Sequence, residues 1–282
     1  MLSNWLREDI GRGDRTTAAL FTGRPMQGQA QGKAQGKAKW VCKEAGTIAG
    51  LTIAPRVFQL LDPKVEFMPV IEDGCTCDAG QPIAQIEGPL EALLTGERVA
   101  LNLAMRLSGI ATLTRQYVNA IADLPTQLVD TRKTTPGLRL LEKYAAQVGG
   151  AQNHRLGLDD SVMIKDNHIA AAGGIAQAVK LIRDRIPYPL TVEVETESLE
   201  QVAEALESRA DIIMLDNMPP EIMAEAVQKI RQQSDRIKIE ASGNVTLETI
   251  RAVAETGVDY VSTSAPITRS RWLDLSMRME IV

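Results

Sequence analysis

Between Asp130 and His168 the chain gathers both of its histidines and a run of cations, in Asp130-Thr-Arg-Lys-Thr-Thr-Pro-Gly137, Asn153-His-Arg155 and Lys165-Asp-Asn-His168. Arg132 and Arg155 carry planar forks that grip a carboxylate or phosphate with two hydrogen bonds. Lys133 and Lys165 add compact charge suited to phosphate oxygens. Each charge-assisted bond contributes roughly 1.5–3 kcal/mol, so four or five together would hold a small, multiply charged anion. Further along come Glu193 and Glu195, Asp216-Asn217, Ser242-Gly-Asn244 and Ser262-Thr-Ser264. Glu195 and Asp216 opposite a cationic cluster would bind sugar hydroxyls or share Mg²⁺ with phosphates. Gly243 would let backbone N–H groups approach phosphate oxygens. No G-x-S-x-G elbow is present, and the two histidines lack the spacing of a zinc enzyme. The chemistry points to electrostatic stabilisation and positioning, without a covalent nucleophile.

Something must bring these segments together. From Thr126 onward, short β-rich runs alternate with helical segments: Gln127–Asp130, Ser161–Ile164, Leu190–Glu195, Asp211–Leu215, Ile237–Ala241 and Tyr260–Thr263. Ser198-Leu-Glu-Gln201 reads as a capping box opening a helix to about Ser208. Pro219-Pro220 opens another. Thr246 caps a third, ending at Gly257. Six strand–helix units with apolar strands predict a parallel sheet under helices, most simply a closed or nearly closed (β/α) barrel. An open doubly wound sheet is the alternative, disfavoured because no G-x-G-x-x-G follows the first strand. In a barrel these polar groups fall at the C-terminal ends of strands, on one rim, with Asn153-His-Arg155 lying between the first two.

The net charge is −5, so the cations form a local cluster in an acidic body, and a nucleic-acid partner is not expected. Aromatic residues make up only 4%, leaving few platforms for stacking bases and a core dominated by aliphatic side chains. Cys42, Cys75 and Cys77 show no paired spacing, so they are expected to be packing residues rather than a disulfide or zinc framework. Met1-Leu-Ser-Asn-Trp-Leu-Arg-Glu-Asp9 has no apolar signal region, and no apolar run approaches a membrane span. The expected compartment is the cytoplasm.

The first ninety residues read as a small mixed α/β domain, with apolar runs at Thr47–Ile53 and Pro82–Ile86. Turn signals stand at Asp73-Gly74, Ala79-Gly80 and Glu87-Gly88-Pro89. Within it Gln27–Ala38 repeats Gln-Gly-Gln/Lys-Ala, a period fitting neither an amphipathic helix nor a buried strand, and is expected to be a mobile or edge insertion. With Lys33, Lys37 and Lys39, a basic binding arm is the lesser reading. Leu90 to Ala122 reads as helix broken near Ser108-Gly109, with Leu94, Leu101 and Met105 on one stripe. Arg98 shares that stripe. Spacing alone favours a rim arginine whose stem covers apolar surface over one aimed into a pocket, its own or a partner subunit's.

The residues resemble the quinolinate phosphoribosyltransferases, also called carboxylating nicotinate-nucleotide pyrophosphorylases. The resemblance rests on Asp130-Thr-Arg-Lys-Thr-Thr-Pro-Gly-Leu-Arg139, Lys143-Tyr144, Gly149-Gly150, Asn153-His-Arg-Leu-Gly-Leu158 and Ile164-Lys-Asp-Asn-His168. It continues in Leu94–Asn102, Leu107-Ser-Gly109, Val192-Glu-Val-Glu195, Ile213-Met-Leu-Asp-Asn217 and Glu240-Ala-Ser-Gly-Asn244, and includes Glu8-Asp9-Ile-Gly11 and Gly13-Asp14. It implies an α/β chain: an N-terminal α/β sandwich domain over residues 1–107, the tail 269–282 packing on it, and an incomplete (β/α) TIM-like barrel over 108–268. The implied reaction joins quinolinate to phosphoribosyl pyrophosphate with Mg²⁺, giving nicotinate mononucleotide, pyrophosphate and CO₂. By the same resemblance Arg132, His154 and Arg155 would hold the two carboxylates, helped by Arg98 from the neighbouring subunit of a homodimer. That reverses the reading from spacing. Thr131 would join the substrate-binding set. Lys133 and Lys165 would lie near carboxylates and phosphates, and Glu195 and Asp216 would hold ribose hydroxyls and the Mg²⁺ network. Lys133, Lys165, Glu195 and Asp216 would be the catalytic group. Ser242, Gly243 and the loop at Ser264 would hold the 5′-phosphate. The implied assembly is a homodimer with shared sites, or a hexamer. Two departures stand out: the Gln27–Ala38 stretch, where the family has an ordinary strand, and Ser264, where many members have glycine. A molybdate-transport-associated paralogue would be expected to lack part of the cationic cluster. A non-catalytic phosphate-binding barrel would not need Glu195 and Asp216.

Overall fold

A computed structural model describes residues 1–21 and 34–280. In chain order the first part carries α1 (Leu2–Ile10), α2 (Arg15–Phe21), β1 (Gln35–Cys42), β2 (Gly46–Thr47), α3 (Ala54–Leu61), β3 (Glu66–Pro69), β4 (Thr76–Cys77), β5 (Pro82–Pro89) and α4 (Leu90–Ala120). There follow β6 (Gln127–Val129), α5 (Arg139–Gly149), β7 (Val162–Ile164), α6 (Asp166–Ala172), α7 (Ile175–Arg183), β8 (Val192–Thr196) and α8 (Leu199–Glu207). The last are β9 (Ile212–Asp216), α9 (Pro220–Gln233), β10 (Lys238–Ser242), α10 (Ile250–Ala254), β11 (Tyr260–Ser262), α11 (Ala265–Thr268) and β12 (Leu275–Glu280). The chain divides into two compact units, one of residues 1–112 with 270–282, the other of residues 113–269.

The first unit is built on an antiparallel sheet of order β12-β1-β5-β3, so the C-terminal strand is an edge of the N-terminal sheet. Its core joins Trp40, Ile83 and Ile86 of the sheet to Val57 and Phe58 of α3 and Leu93 of α4, all fully buried. Trp40 meets Phe67 edge-on at 5.2 Å between ring centres. Three expectations need correction here. The Gln27–Lys33 part of the repeat lies outside the described residues, but Gln35–Ala38 opens β1 in mid-sheet. Its two-residue alternation decides this: Gly36 and Ala38 face in while Gln35 and Lys37 face out, as a strand requires. A Cβ on Gly36 would meet Leu90 Cδ1 at 2.1 Å, so any larger residue would require the Leu90 side chain to move. Lys37 pairs with Glu87 at 2.6 Å and Lys39 with Glu280, which makes them cross-strand partners and removes them from a binding arm. Cys42 and Cys77 form a disulfide between β1 and β4, leaving Cys75 free and exposed. The fold brings together two cysteines from strands of different sheets, which their spacing leaves apart. The turn signal at Glu87-Gly88-Pro89 lies inside β5.

Helix α4 runs unbroken through Ser108-Gly109. The serine uses its hydroxyl to bond both the N–H and the carbonyl of Ala49, at 3.0 and 3.1 Å. Gly109 admits the backbone of Arg271, whose carbonyl oxygen would lie 1.9 Å from a Cβ. The pair marks close packing, not a break.

The second unit is a six-stranded parallel sheet of order β6-β11-β10-β9-β8-β7. From β7 to β11 each strand lies beside its predecessor, always stepping in the same direction, and β6 completes the row beside β11. That is barrel winding; a doubly wound sheet reverses direction. The barrel is incomplete, as the resemblance implies: β6 and β7 stay unpaired to each other. Helices follow each strand as the caps and prolines imply. Ser198 Oγ accepts the N–H of Gln201 at 3.3 Å, and Pro220 is the first residue of α9. The third helix is shorter than expected. Its cap is Thr249, and Thr246 instead donates its N–H to the Thr249 hydroxyl at 2.9 Å.

Candidate active site

Strand alternation builds the floor of the site. In β8, Val192 and Val194 turn one way, Glu193 and Glu195 the other; in β10, Ile239 and Ala241 oppose Glu240 and Ser242. Register sets Glu195 and Glu240 on either side of Met214, and Ser242 beside Asp216. These inward residues meet the two cationic loops in a cavity of about 430 Å³. Thr131, Arg132, Lys133, His154, Arg155, Lys165, Glu195, Asp216, Ser242 and Gly243 all line it. Two anticipated residues do not. Ser264 is the N-cap of α11, where its carbonyl takes the N–H of Thr268 at 2.9 Å. Arg98 lies exposed on α4 in the other unit. His168 also stands outside the cavity, because it caps α6: its Nδ1 accepts the Lys165 N–H at 3.0 Å.

The electrostatics are those of a receptor for anions. Burial and then the neighbouring Arg132 push the Arg155 guanidinium below its ordinary value. The Arg132 NH1 group is buried without a hydrogen-bond partner, a cost that an anionic ligand would offset. Lys165 pairs with Glu195 at 2.5 Å, and Asp216 accepts the Asn217 side-chain N–H at 2.7 Å. Glu195 and Asp216 are both half-buried and line the same cavity. They offer the hard oxygen donors that suit Mg²⁺.

Sequence reasoning named Glu193 and Glu240 but did not join them to His154. Its Nε2 lies 3.3 Å from Glu193 and 3.4 Å from Glu240, both buried, and the three ligand atoms lie within 4.8 Å of one another. Each glutamate keeps one buried oxygen without a partner. Burial opposes charge on the ring, but the two carboxylates outweigh it and raise the imidazole to about 10. The Arg155 N–H pulls the other way, since it sits 2.7 Å from Nδ1 and asks for a lone pair. Two carboxylates at one nitrogen are the stronger influence, so the ring is cationic at neutral pH. The signal was present in Val192-Glu-Val-Glu195 and Ile239-Glu-Ala-Ser242, where polar residues, Glu193, Glu195, Glu240 and Ser242, interrupt otherwise apolar strands at every second position.

The Gly243 end of the cavity rests on backbone geometry. Gly243 has φ +98°, and a Cβ there would lie 2.2 Å from Asn217 Oδ1 and 2.9 Å from its backbone nitrogen. Asn217 and Asn244 also adopt positive φ, 53° and 43°, and both line the cavity. Asn217 donates its backbone N–H to the Ser242 carbonyl at 3.0 Å, tying the two strand ends together.

Comparison with known proteins agrees with this architecture. Residues 14–108 match the quinolinate phosphoribosyl transferase N-terminal domain, and residues 110–278 the C-terminal domain. The chain is 60% identical over 278 residues to a probable carboxylating nicotinate-nucleotide pyrophosphorylase of Synechocystis, covering 99% of this chain and 91% of that protein. It is 44% identical over 277 residues to the corresponding protein of Bacillus subtilis, covering 98% and 91%. Among solved structures, NadC from Streptococcus pyogenes superposes with a TM-score of 0.90 at 43% identity, covering 98% of this chain and 94% of that one. With both domain models matched in order across nearly its whole length, the chain belongs to the quinolinate phosphoribosyltransferase family.

Proposed function

We propose that this protein transfers the phosphoribosyl group of phosphoribosyl pyrophosphate to quinolinate with decarboxylation, yielding nicotinate mononucleotide, pyrophosphate and CO₂. The observation that carries the reading is one cavity in which Arg132, Lys133, His154, Arg155 and Lys165 face Glu195 and Asp216. Anion receptors need only the first group; glycosyl transfer also needs acids for ribose hydroxyls and developing positive charge. The complete cationic set weighs against the molybdate-transport-associated alternative. The acids weigh against a non-catalytic phosphate-binding barrel.

The chemistry follows from charge. Arg132, His154 and Arg155 hold the two ring carboxylates and aim the pyridine nitrogen at ribose C1. The C1–oxygen bond to pyrophosphate breaks, and positive character at C1 is stabilised by Glu195 and Asp216. The ring nitrogen forms the new bond to C1 and becomes cationic. The adjacent C2–carboxylate bond then breaks, its electron pair held beside the N⁺ until a proton fills C2, and CO₂ leaves. Lys133 and Lys165 hold carboxylate and phosphate oxygens, Thr131 supports the same loop, and Ser242 and Gly243 hold the 5′-phosphate, with Ser264 a neighbour of that loop. Glu195 and Asp216 would hold Mg²⁺, which when bound neutralises the pyrophosphate leaving group. Arg98 completes the carboxylate pocket from the partner subunit of a homodimer. No helix among the described residues is long and apolar enough to cross a membrane, and the reading places the reaction in the cytoplasm.

The test is direct. Folded protein mixed with quinolinate, phosphoribosyl pyrophosphate and Mg²⁺ should release CO₂ in step with nicotinate mononucleotide. No release under any tested condition overturns the reading.

A further inference from the structure

The two cationic loops of the cavity are each tied to the same face of α5. Arg139, Glu142 and Lys143 share it by helical spacing, i, i+3 and i+4. Glu142, fully buried, accepts the Thr135 N–H at 2.8 Å and its hydroxyl at 2.9 Å. Lys143, only 2% exposed, pairs with Asp130 at the root of the Arg132-Lys133 loop. The same Asp130 oxygen accepts the backbone N–H of His154 at 2.8 Å. The Asn153 amide faces two acceptors, which assigns its nitrogen to them: it donates to the second oxygen of Asp130 at 2.7 Å and to the Lys143 carbonyl at 3.0 Å. Arg139 spans both loops at once, donating to the Thr134 hydroxyl and to the Leu156 carbonyl, each at 3.2 Å.

A buried ion pair is a poor device for stability, because desolvation consumes most of the attraction. Asp130 registers that cost: burial raises its carboxyl despite the lysine beside it. What such a pair fixes well is position. The loops need that help, for the barrel is open between β6 and β7 and no ladder crosses the gap. Segment 152–155 is held beside β6 by one bridge, Gln152 to Val129.

We propose that the Arg139–Glu142–Lys143 face of α5 is a positioning element that sets the spacing of the two cationic loops and so selects a ligand with carboxylates on adjacent ring atoms. The selectivity half rests on the phosphoribosyl-transfer reading; the positioning half does not. None of the three α5 side chains lines the cavity, so they act through Thr134, Thr135, Asp130 and His154 and do not touch substrate.

The experiment uses the full-length protein and two variants, Lys143→Met and the milder Glu142→Gln, the second serving if the first does not fold. Hydrogen exchange should rise in residues 131–138 and 153–160 of Lys143→Met, and in 131–138 of Glu142→Gln, while 216–217 and 242–244 keep wild-type rates. Calorimetry with pyridine-2,3-dicarboxylate and its 2,4-isomer should show the preference for the 2,3-isomer falling about tenfold or more, with phosphoribosyl pyrophosphate affinity unchanged. Wild-type exchange in both loops overturns the proposal, as does a uniform rise across 113–269, the mark of a merely structural role. A wild-type protein binding neither isomer overturns the substrate reading and the selectivity half, and the exchange rates then judge positioning alone.

Discussion

His154 Nε2 lies 3.3 Å from the buried carboxylate of Glu193, so the cation that would greet a substrate carboxylate is itself held by an acid from the strand beneath it. The raised imidazole sets the sign of a pH effect. Its folded-state value, about 10, lies above the ordinary 6.5. The stability it contributes is therefore complete below about pH 6.5 and lost as pH rises through about 10. Quinolinate affinity should follow the imidazolium and hold across neutral pH. In Glu193→Gln the fall should begin at lower pH, read by calorimetry from pH 6 to 10. A variant whose affinity follows the wild-type curve would show that Glu193 does not govern the charge on His154.

Gly243→Ala should weaken the phosphate end selectively. The +98° backbone and the Asn217 contact together cost about 1–3 kcal/mol of strain. The expected outcome is a raised KM for phosphoribosyl pyrophosphate with a much smaller change for quinolinate, measured by initial rates. Equal changes in both would mean the damage spreads beyond the loop.

Lys133 is exposed at the cavity rim, so removing it should spare the fold. Lys133→Ala loses one charge-assisted contact of about 1.5–3 kcal/mol, a fall of roughly 10- to 150-fold in kcat/KM. Circular dichroism should stay unchanged. Unfolding would assign the lysine a structural task instead.

Arg98 stands exposed on α4 and outside the cavity of its own chain. If sites are shared across a homodimer, an Arg98→Ala protein mixed with an Arg155→Ala protein should recover part of the activity through hybrids with one intact site. Failure to recover after demonstrated subunit exchange would argue for self-contained sites.

Much of the barrel was legible because its strands are short apolar runs ended by polar clusters. Gln127–Asp130 and Asp211–Leu215 each fall within a residue of the observed β6 and β9. Ten of the twelve anticipated site residues line one cavity because strand ends are where a parallel barrel exposes side chains. Three kinds of information were not local and so stayed hidden. Cys42 and Cys77 meet only because the fold packs β1 and β4, strands of different sheets, side by side. The apparent helix break at Ser108-Gly109 is explained by a backbone 162 residues from Gly109 along the chain, at Arg271. Glu193 and Glu240 were visible as acids in apolar strands, but their tie to His154 crosses from one loop to two strands.

The small residues of β1 have an evolutionary consequence. Gly36 and Ala38 point inward, Gln35 and Lys37 outward, and the Gln-Gly-Lys-Ala unit is four residues long. Four is a whole number of strand periods. Replication slippage that duplicates or deletes one unit therefore returns every following side chain to its own side of the sheet, whereas a gain or loss of three would turn Trp40 out to solvent. A gain or loss of one whole unit is thus tolerated beside a buried core, since it preserves the alternation of β1.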